Sequence, residues 1–249
     1  MARPVAIVTG GGRGIGAATS LLAASRGYAV CVNYRRDEAC AQAVVAQIAA
    51  SGGKAVALGA DVSVEAEVVR LFEAAQSELG LVTALVNNAG ILETQTRLEN
   101  MEAARFERVL AANVTSVLLC CREAVKRMSV KRGGGGGAIV NVSSMASRLG
   151  SPGEYVDYAA SKGAVDSLTI GLSKEFAEDG IRVNAVRPGV IYTDIHASGG
   201  EPGRVERIKD AVPMKRGGQP EEVARAILWL LSDEASYSTG TFIDVSGGR

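Results

Sequence analysis

Aromatic residues make up only 4% of this 249-residue chain, and histidine occurs once. So few rings leave no sign of a cage for a ligand the size of a steroid. One histidine without clustered ligands argues against a structural zinc site, and no other metal site is expected. Net charge is missing too: 27 Lys+Arg stand against 27 Asp+Glu. That balance argues against a general nucleic-acid or anionic-membrane surface and leaves only a local basic patch open. The four cysteines, Cys31, Cys40, Cys120 and Cys121, form no CxxC pair and read as small buried hydrophobes instead of a disulfide framework. No apolar run approaches the ~20 residues of a membrane-spanning helix. The start, Met1-Ala2-Arg3-Pro4-Val5, has no signal-peptide layout, so a soluble, cytoplasmic protein is expected.

What is present is alternation. Strand-like runs occur at Val5–Thr9, Ala29–Asn33, Ala55–Leu58, Ala84–Asn87, Ala138–Val142, Arg182–Val186 and Phe242–Val245. Stretches of helical period lie between them, at about 16–27, 37–51, 64–79, 101–129, 155–179 and 220–231. Seven strands and six helices in alternation predict an α/β fold, a parallel sheet covered on both faces. Pro220 sits just inside the last helix, with Glu221 and Glu222 in its positive first turn. The five glycines Gly133–Gly137 read as a loose, exposed connection into the fifth strand. No internal repeat is visible, and one domain over 1–249 is expected.

The first strand empties into Thr9-Gly10-Gly11-Gly12-Arg13-Gly14-Ile15-Gly16, followed by an alanine-rich helix. Glycines there permit a tight turn and bring backbone N–H groups to a pyrophosphate at the helix N-terminus. Further motifs follow in order: Asp61-Val62, Asn87-Asn88-Ala89-Gly90, Asn113, Ser144, Tyr158-x-x-x-Lys162 and Pro188-Gly189. Together they resemble the classical short-chain dehydrogenase/reductase family over essentially the whole chain. The resemblance implies a single doubly wound Rossmann domain with a seven-stranded parallel sheet. It also implies a nicotinamide cofactor. Gly10, Gly14 and Gly16, with Ile15, would face the pyrophosphate. Asp61 and the Val62 backbone would lie beside adenine, although an ordinary cap near Ser63 competes for Asp61. Asn87, Ala89 and Gly90 would let the cofactor pass closely. Ile191 and Thr193, after Pro188-Gly189, would hold the carboxamide and fix the ring face.

The second strand bears on which cofactor is used. Tyr34 stands where the family's NAD-selective carboxylate falls, and Arg35 and Arg36 follow it. An arginine fork suits a phosphate, and Arg13 is a second basic residue that the family turns towards it. NADP(H) is therefore expected, with plain solvated surface charge as the competing account of Arg35 and Arg36.

Tyr158 and Lys162 are one helical turn apart on one face. A nearby ammonium would favour the phenolate, so Tyr158 is the candidate acid in reduction and base in oxidation. Within the family pattern Lys162 also holds the nicotinamide ribose. Ser144, rather than Ser143, would donate to the substrate oxygen. Asn113, mid-helix, would hold a water that links Lys162 to solvent, a solvent-facing amide being the alternative. Tyr155 reads as a pocket-wall or interface residue and His196 as an exposed loop residue, with substrate contact as the alternative.

The segment from Tyr192 to Pro213 is expected to be a mobile substrate lid. The chain is similar to 3-oxoacyl-acyl-carrier-protein reductases, and Lys126, Arg127, Lys131 and Arg132 could form a basic patch for an acidic carrier protein. It is also similar to sugar or polyol dehydrogenases such as the glucose 1-dehydrogenase group. The best reading is an NADP(H)-dependent reductase of a small carbonyl or alcohol substrate. A non-catalytic dinucleotide sensor or scaffold is the reading from another class. The family pattern further implies a homotetramer through the late helix and terminal strand. Trp229, in that helix, reads as core or subunit interface.

Overall fold

Each apolar run ends where a polar or glycine-rich turn reverses the chain, and the reversals build one repeating unit. A computed structural model describes residues 3–249; Met1 and Ala2, where the signal-peptide reading begins, lie outside them. β1 (Val5–Val8) leads to α1 (Gly14–Ser25), β2 (Ala29–Tyr34), α2 (Glu38–Ala50), β3 (Lys54–Gly59), α3 (Glu65–Leu79) and β4 (Val82–Asn87). Then come α4 (Ala103–Leu110), a π turn (Ala111–Thr115), α5 (Ser116–Met128), β5 (Gly137–Val142), α6 (Ala146–Leu149) and α7 (Val156–Glu175). β6 (Ile181–Pro188), α8 (Ile195–Ser198), α9 (Arg204–Ile208), α10 (Pro220–Leu231) and β7 (Phe242–Val245) complete the chain.

The strands form one parallel sheet in the order β3-β2-β1-β4-β5-β6-β7. This is a single Rossmann-type α/β domain. Alternate residues of each strand feed opposite cores. Ile7, Leu85 and Ile139 pack with Phe72, Met128 and Val165 under α3, α5 and α7. Val8, Val86 and Val140 pack with Ile48, Ile227 and Leu230 under α2 and α10. The central strands β1, β2, β4 and β5 are buried on both faces and show no regular polar alternation. Burial pushes the Cys31 and Cys121 thiols up to about 12, as expected of inert packing residues. Among the described residues no helix is long and apolar enough to cross a membrane.

Four local expectations change. The stretch 101–129 is not one helix, because a π turn containing Asn113 separates α4 from α5. The glycine run is not slack: Gly134 and Gly136 donate to Ser129 and Met128 carbonyls at 2.9 and 2.8 Å. A Cβ on Gly134 would lie 2.5 Å from the Arg127 carbonyl oxygen, so glycine serves close packing there. The short helices α6, α8 and α9 fall in segments read as loops. Trp229 is 38% exposed, which removes the core reading and leaves the surface one.

One buried ion pair sets the start of α7, the helix that carries Tyr158 and Lys162. Arg105 on α4 grips Asp157 with Nε at 2.7 Å and Nη2 at 3.1 Å, while Nη1 donates to the Thr94 carbonyl at 2.6 Å. Both side chains are almost wholly buried. Removing one partner strands the other charge inside the protein. Arg105→Ala is expected to lower the unfolding free energy by about 3–5 kcal/mol in urea titration at neutral pH. A loss under about 1 kcal/mol, the size of an exposed pair, would contradict this account.

Candidate active site

All parallel strands point their C-terminal ends the same way, and the order reverses between β1 and β4. A crevice opens at such a reversal. Here it is one cleft of ≈ 1180 Å³ running from the glycine turn to Ser144, Tyr158 and Lys162.

At the first end the turn needs glycine at Gly10 and Gly14, where φ is +61° and +50°. Gly16 has a different task. A Cβ there would fall 2.2 Å from the Gly10 carbonyl oxygen, so its absence lets α1 sit against the turn. Gly16 therefore packs behind the cleft and does not line it, contrary to the expectation of direct cofactor contact. Arg13 gives α1 no side-chain cap, and no acidic residue stands in its first turn. The positive helix end thus faces the cleft with free N–H groups, an arrangement that fits a dinucleotide pyrophosphate.

The turn is held from both sides. Asn33 Oδ1 accepts from Gly10 N at 3.3 Å. Asn88 Nδ2 donates to the Thr9 and Gly10 carbonyls at 2.9 and 3.1 Å, and Thr9 Oγ1 accepts from the Asn88 and Ala89 amides at 3.0 Å each. Asn88 was not singled out by the sequence, although it stands beside Asn87. Asn87 itself points into the core, donating to Asn141 Oδ1 at 2.9 Å, and does not reach the cleft. That corrects its assignment. Ala89 and Gly90 do line the cleft, as do Gly10, Arg13, Gly14, Ile15, Pro188, Gly189, Ile191 and Thr193.

Tyr34, Arg35, Asp61 and Val62 line the adjoining wall. Arg35 is neither solitary surface charge nor fully free: its Nε lies 2.7 Å from Asp61 Oδ2. The turn reading of Asp61 is also partly right. Its Oδ1 accepts from Ser63 N and Oγ at 3.0 and 2.6 Å, while α3 begins later, at Glu65.

At the far end Lys162 Nζ donates to the Val142 carbonyl at 2.8 Å and lies 5.6 Å from the Tyr158 ring centre. Burial pushes Lys162 down to about 8, with Asp166 opposing. Burial pushes Tyr158 up, with Ser144 opposing. The expected lowering of Tyr158 is thus reversed in this geometry, because desolvation of the phenol outweighs its polar neighbour. Ser144 lines the cleft. Ser143 also borders the cleft, but its hydroxyl is spent on Asp166 Oδ1 at 2.6 Å.

Asn113 corrects one expectation. It is fully buried, hence not solvent-facing. Its Oδ1 accepts from Ile91 N at 2.8 Å, and Nδ2 donates to Ile91 O and Ser161 Oγ at 3.1 Å each. It fastens the Gly90–Ile91 segment to α7. His196 is buried rather than exposed: α8 tucks it inward, Nε2 lies 2.9 Å from the Ile191 carbonyl, and Nδ1 has no partner among the described residues. Burial lowers its pKa and favours the neutral ring. Tyr155 forms part of the cleft wall, as expected, beneath the Arg204 guanidinium at 5.0 Å. Arg204 and Arg207 tie the 192–213 segment to Glu154 at 2.5 and 3.1 Å.

The basic patch is largely neutralised within the fold. Lys126 and Arg127 both pair with buried Glu123, and Lys131 pairs with Glu178 and Asp179. These contacts account for three of the four basic residues without an acidic partner.

Residues 10–249 match the family model described as enoyl-(acyl carrier protein) reductase. The chain is 64% identical over 245 residues to the uncharacterized oxidoreductase YgfF of Escherichia coli K12, covering 98% of this chain and 99% of that protein. It is 41% identical to a 3-oxoacyl-[acyl-carrier-protein] reductase of Synechocystis, over 98% of this chain and 96% of that one. It is 40% identical to 3beta-hydroxysteroid dehydrogenase 1 of Eggerthella lenta, over 97% and 92% of the two chains.

Buried Lys162 has a consequence for stability. Its ordinary value is 10.5, so between about 8 and 10.5 the unfolded chain keeps a proton that the folded chain has released. The penalty of burying the ammonium is therefore full below pH 8 and fades as pH rises. Relative to Lys162→Met, the wild type should gain up to about 2 kcal/mol of unfolding free energy between about pH 7.5 and 9.5. A difference that stays flat across those pH values would contradict the depressed lysine.

Proposed function

The chain belongs to the short-chain dehydrogenase/reductase family of oxidoreductases, which use a nicotinamide nucleotide and small carbonyl or alcohol substrates, and we propose that this member is an NADPH-dependent carbonyl reductase. The continuous cleft from the Gly10 turn to Tyr158 carries the reading, because it puts a dinucleotide site and a proton donor in one cavity. The nicotinamide, when bound, supplies or accepts the hydride. The positive end of α1 holds the pyrophosphate. Arg13 and Arg35 select the 2′-phosphate, and Asp61 and Val62 flank the adenosine. Lys162 holds the nicotinamide ribose, while Ile191 and Thr193 set the ring face. Membership of a catalytic family argues against the silent sensor or scaffold.

Tyr158 gives its phenolic proton to the carbonyl oxygen, and Ser144 donates a hydrogen bond to the same oxygen. A raised tyrosine favours the protonated phenol that reduction needs. Asn113 acts by positioning α7 and the Gly90–Ile91 segment. The 192–213 segment closes the substrate end, latched through Glu154.

The substrate wall favours an apolar carbonyl compound over a sugar or polyol. Leu92, Met145, Leu149, Tyr155, Ile195 and Ile208 line it beside a few polar groups such as Glu154, Ser198 and Arg204, so most of a polyol's hydroxyls would face apolar wall. Likeness to the Synechocystis enzyme supports a 3-oxoacyl thioester, with an acyl carrier protein as its natural bearer. Initial rates with NADPH and acetoacetyl-coenzyme A test this. Saturable turnover is expected, and Tyr158→Phe should lower kcat by at least about 100-fold with NADPH binding retained. Full activity in that variant would remove Tyr158 as the acid, and absent turnover in the wild type would remove the thioester.

We also propose a homotetramer. Trp229 on α10 and Tyr237 beyond it are exposed near β7, and Leu118 on α5 and Ile170 on α7 expose a further apolar surface. Light scattering at micromolar concentration should give four times the 25.7 kDa chain mass. A monomer would overturn the assembly.

A further inference from the structure

The geometry points to Asp61 as a positioning residue for cofactor choice: by pairing with Arg35 at Nε, it leaves both terminal guanidinium nitrogens free to receive the 2′-phosphate. The inference rests on the NADPH reading above and deepens it.

Three observations meet here. First, the ion pair falls at the Nε side: Arg35 Nε lies 2.7 Å from Asp61 Oδ2 without hydrogen-bond alignment, and no Arg35 nitrogen donates a hydrogen bond among the described residues. A guanidinium has its fork at Nη1 and Nη2, so an anchor at Nε preserves the end that fits a phosphate. Second, Asp61 is itself fixed. Ser63 donates to Oδ1 with both its amide and its hydroxyl, and the Asp61 amide donates to Glu67 Oε2 at 2.8 Å. Its side chain is 20% exposed while that of Arg35 is 54% exposed. An exposed arginine on a mobile stem gains little from one ion pair unless its partner is already ordered. Third, Arg35 and Asp61 both line the cleft, beside Tyr34 and Arg36. Burial disfavours the Asp61 carboxylate, but Ser63, Arg35 and Arg36 more than compensate and hold it below the ordinary carboxylate range. It is therefore charged wherever the enzyme would work.

A simpler view gives the opposite sign. A carboxylate near a phosphate repels it, so neutralising Asp61 would tighten NADPH. At such distances in a solvated cleft that repulsion is screened to a few-fold at most. A misdirected charge-assisted fork loses about tenfold or more. Orientation outweighs repulsion. A third view gives Asp61 to adenine alone, and then NADPH and NADH suffer equally because both carry the same base.

Calorimetric dissociation constants for NADPH and NADH separate the three. They would be measured on the wild type, Asp61→Asn, Arg35→Ala, Arg35→Lys and the Asp61→Asn/Arg35→Ala double variant. Competition by 2′,5′-ADP and 5′-AMP repeats the comparison without a nicotinamide. Asp61→Asn should weaken NADPH about tenfold more than it weakens NADH. Arg35→Lys, which keeps the charge but loses the Nε anchor and the fork, should do the same. Adding Asp61→Asn to Arg35→Ala should not change the NADPH/NADH ratio further. Equal weakening of both nucleotides by Asp61→Asn, or an unchanged or increased NADPH preference, overturns the inference. Arg35 is half exposed and outside the core, so if Asp61→Asn fails to fold, an undiminished preference in Arg35→Lys overturns it instead. A wild type without NADPH preference, or a preference that survives Arg35→Ala, removes the NADPH reading underneath and is recognisable as that separate failure.

Discussion

The clasp between the ends of β1 and β4 governs the rest of the molecule. These strands are neighbours in the sheet although Thr9 and Asn88 are 79 positions apart. Asn88 holds the Thr9 and Gly10 carbonyls, and Thr9 returns the bond to the Asn88 and Ala89 amides. The sheet order reverses at this point, so helices leave on opposite faces and a crevice opens between them. The glycine turn, Gly90 and the strand end before Ser144 all border it. A parallel sheet cannot put its functional ends anywhere but along one edge, and the clasp fixes the two central strands of that edge.

A second theme is charge carried inside the fold. Lys162 is 5% exposed and has one strong backbone acceptor, the Val142 carbonyl. Arg105 and Asp157 are buried as a closed pair, and Asp166 is shared between Ser143 and Arg187. Such groups are costly to desolvate, and a hydrophobic replacement would often pack as well. Here they are gathered around α7. The most polar interior surrounds the helix with the proposed proton donor, which is where a low-dielectric site makes aligned dipoles most effective.

Much of this was legible in the sequence, and the failures share a cause. Periodicity exposes an element when its burial is regular, so all seven strands and five of the six helical stretches could be read to within a few residues, 101–129 being broken by a π turn. The glycine turn was legible because positive φ at Gly10 and Gly14 narrows the choice of residue. Direction within a motif was not. Asn87 and Asn88 are identical residues with opposite roles, and only the end of β4 decides which one faces the cleft. Asn113 was visible as an oddity, yet its π turn is a tertiary effect of bonds to Ile91 and Ser161. His196 looked exposed and the glycine run looked slack because polarity and flexibility say nothing of what packs against them. Arg35 was legible as a cation, but not the carboxylate that aims it.

The central claim is that one cleft joins dinucleotide binding to proton transfer at Tyr158. A crystal structure with NADP+ bound tests it most directly. The account predicts the pyrophosphate at the Gly10–Gly14 turn and the N-terminus of α1, and the nicotinamide ring beside Ser144 and Tyr158. A nucleotide bound outside this cleft, or a ring directed away from the Tyr158 hydroxyl, would contradict it.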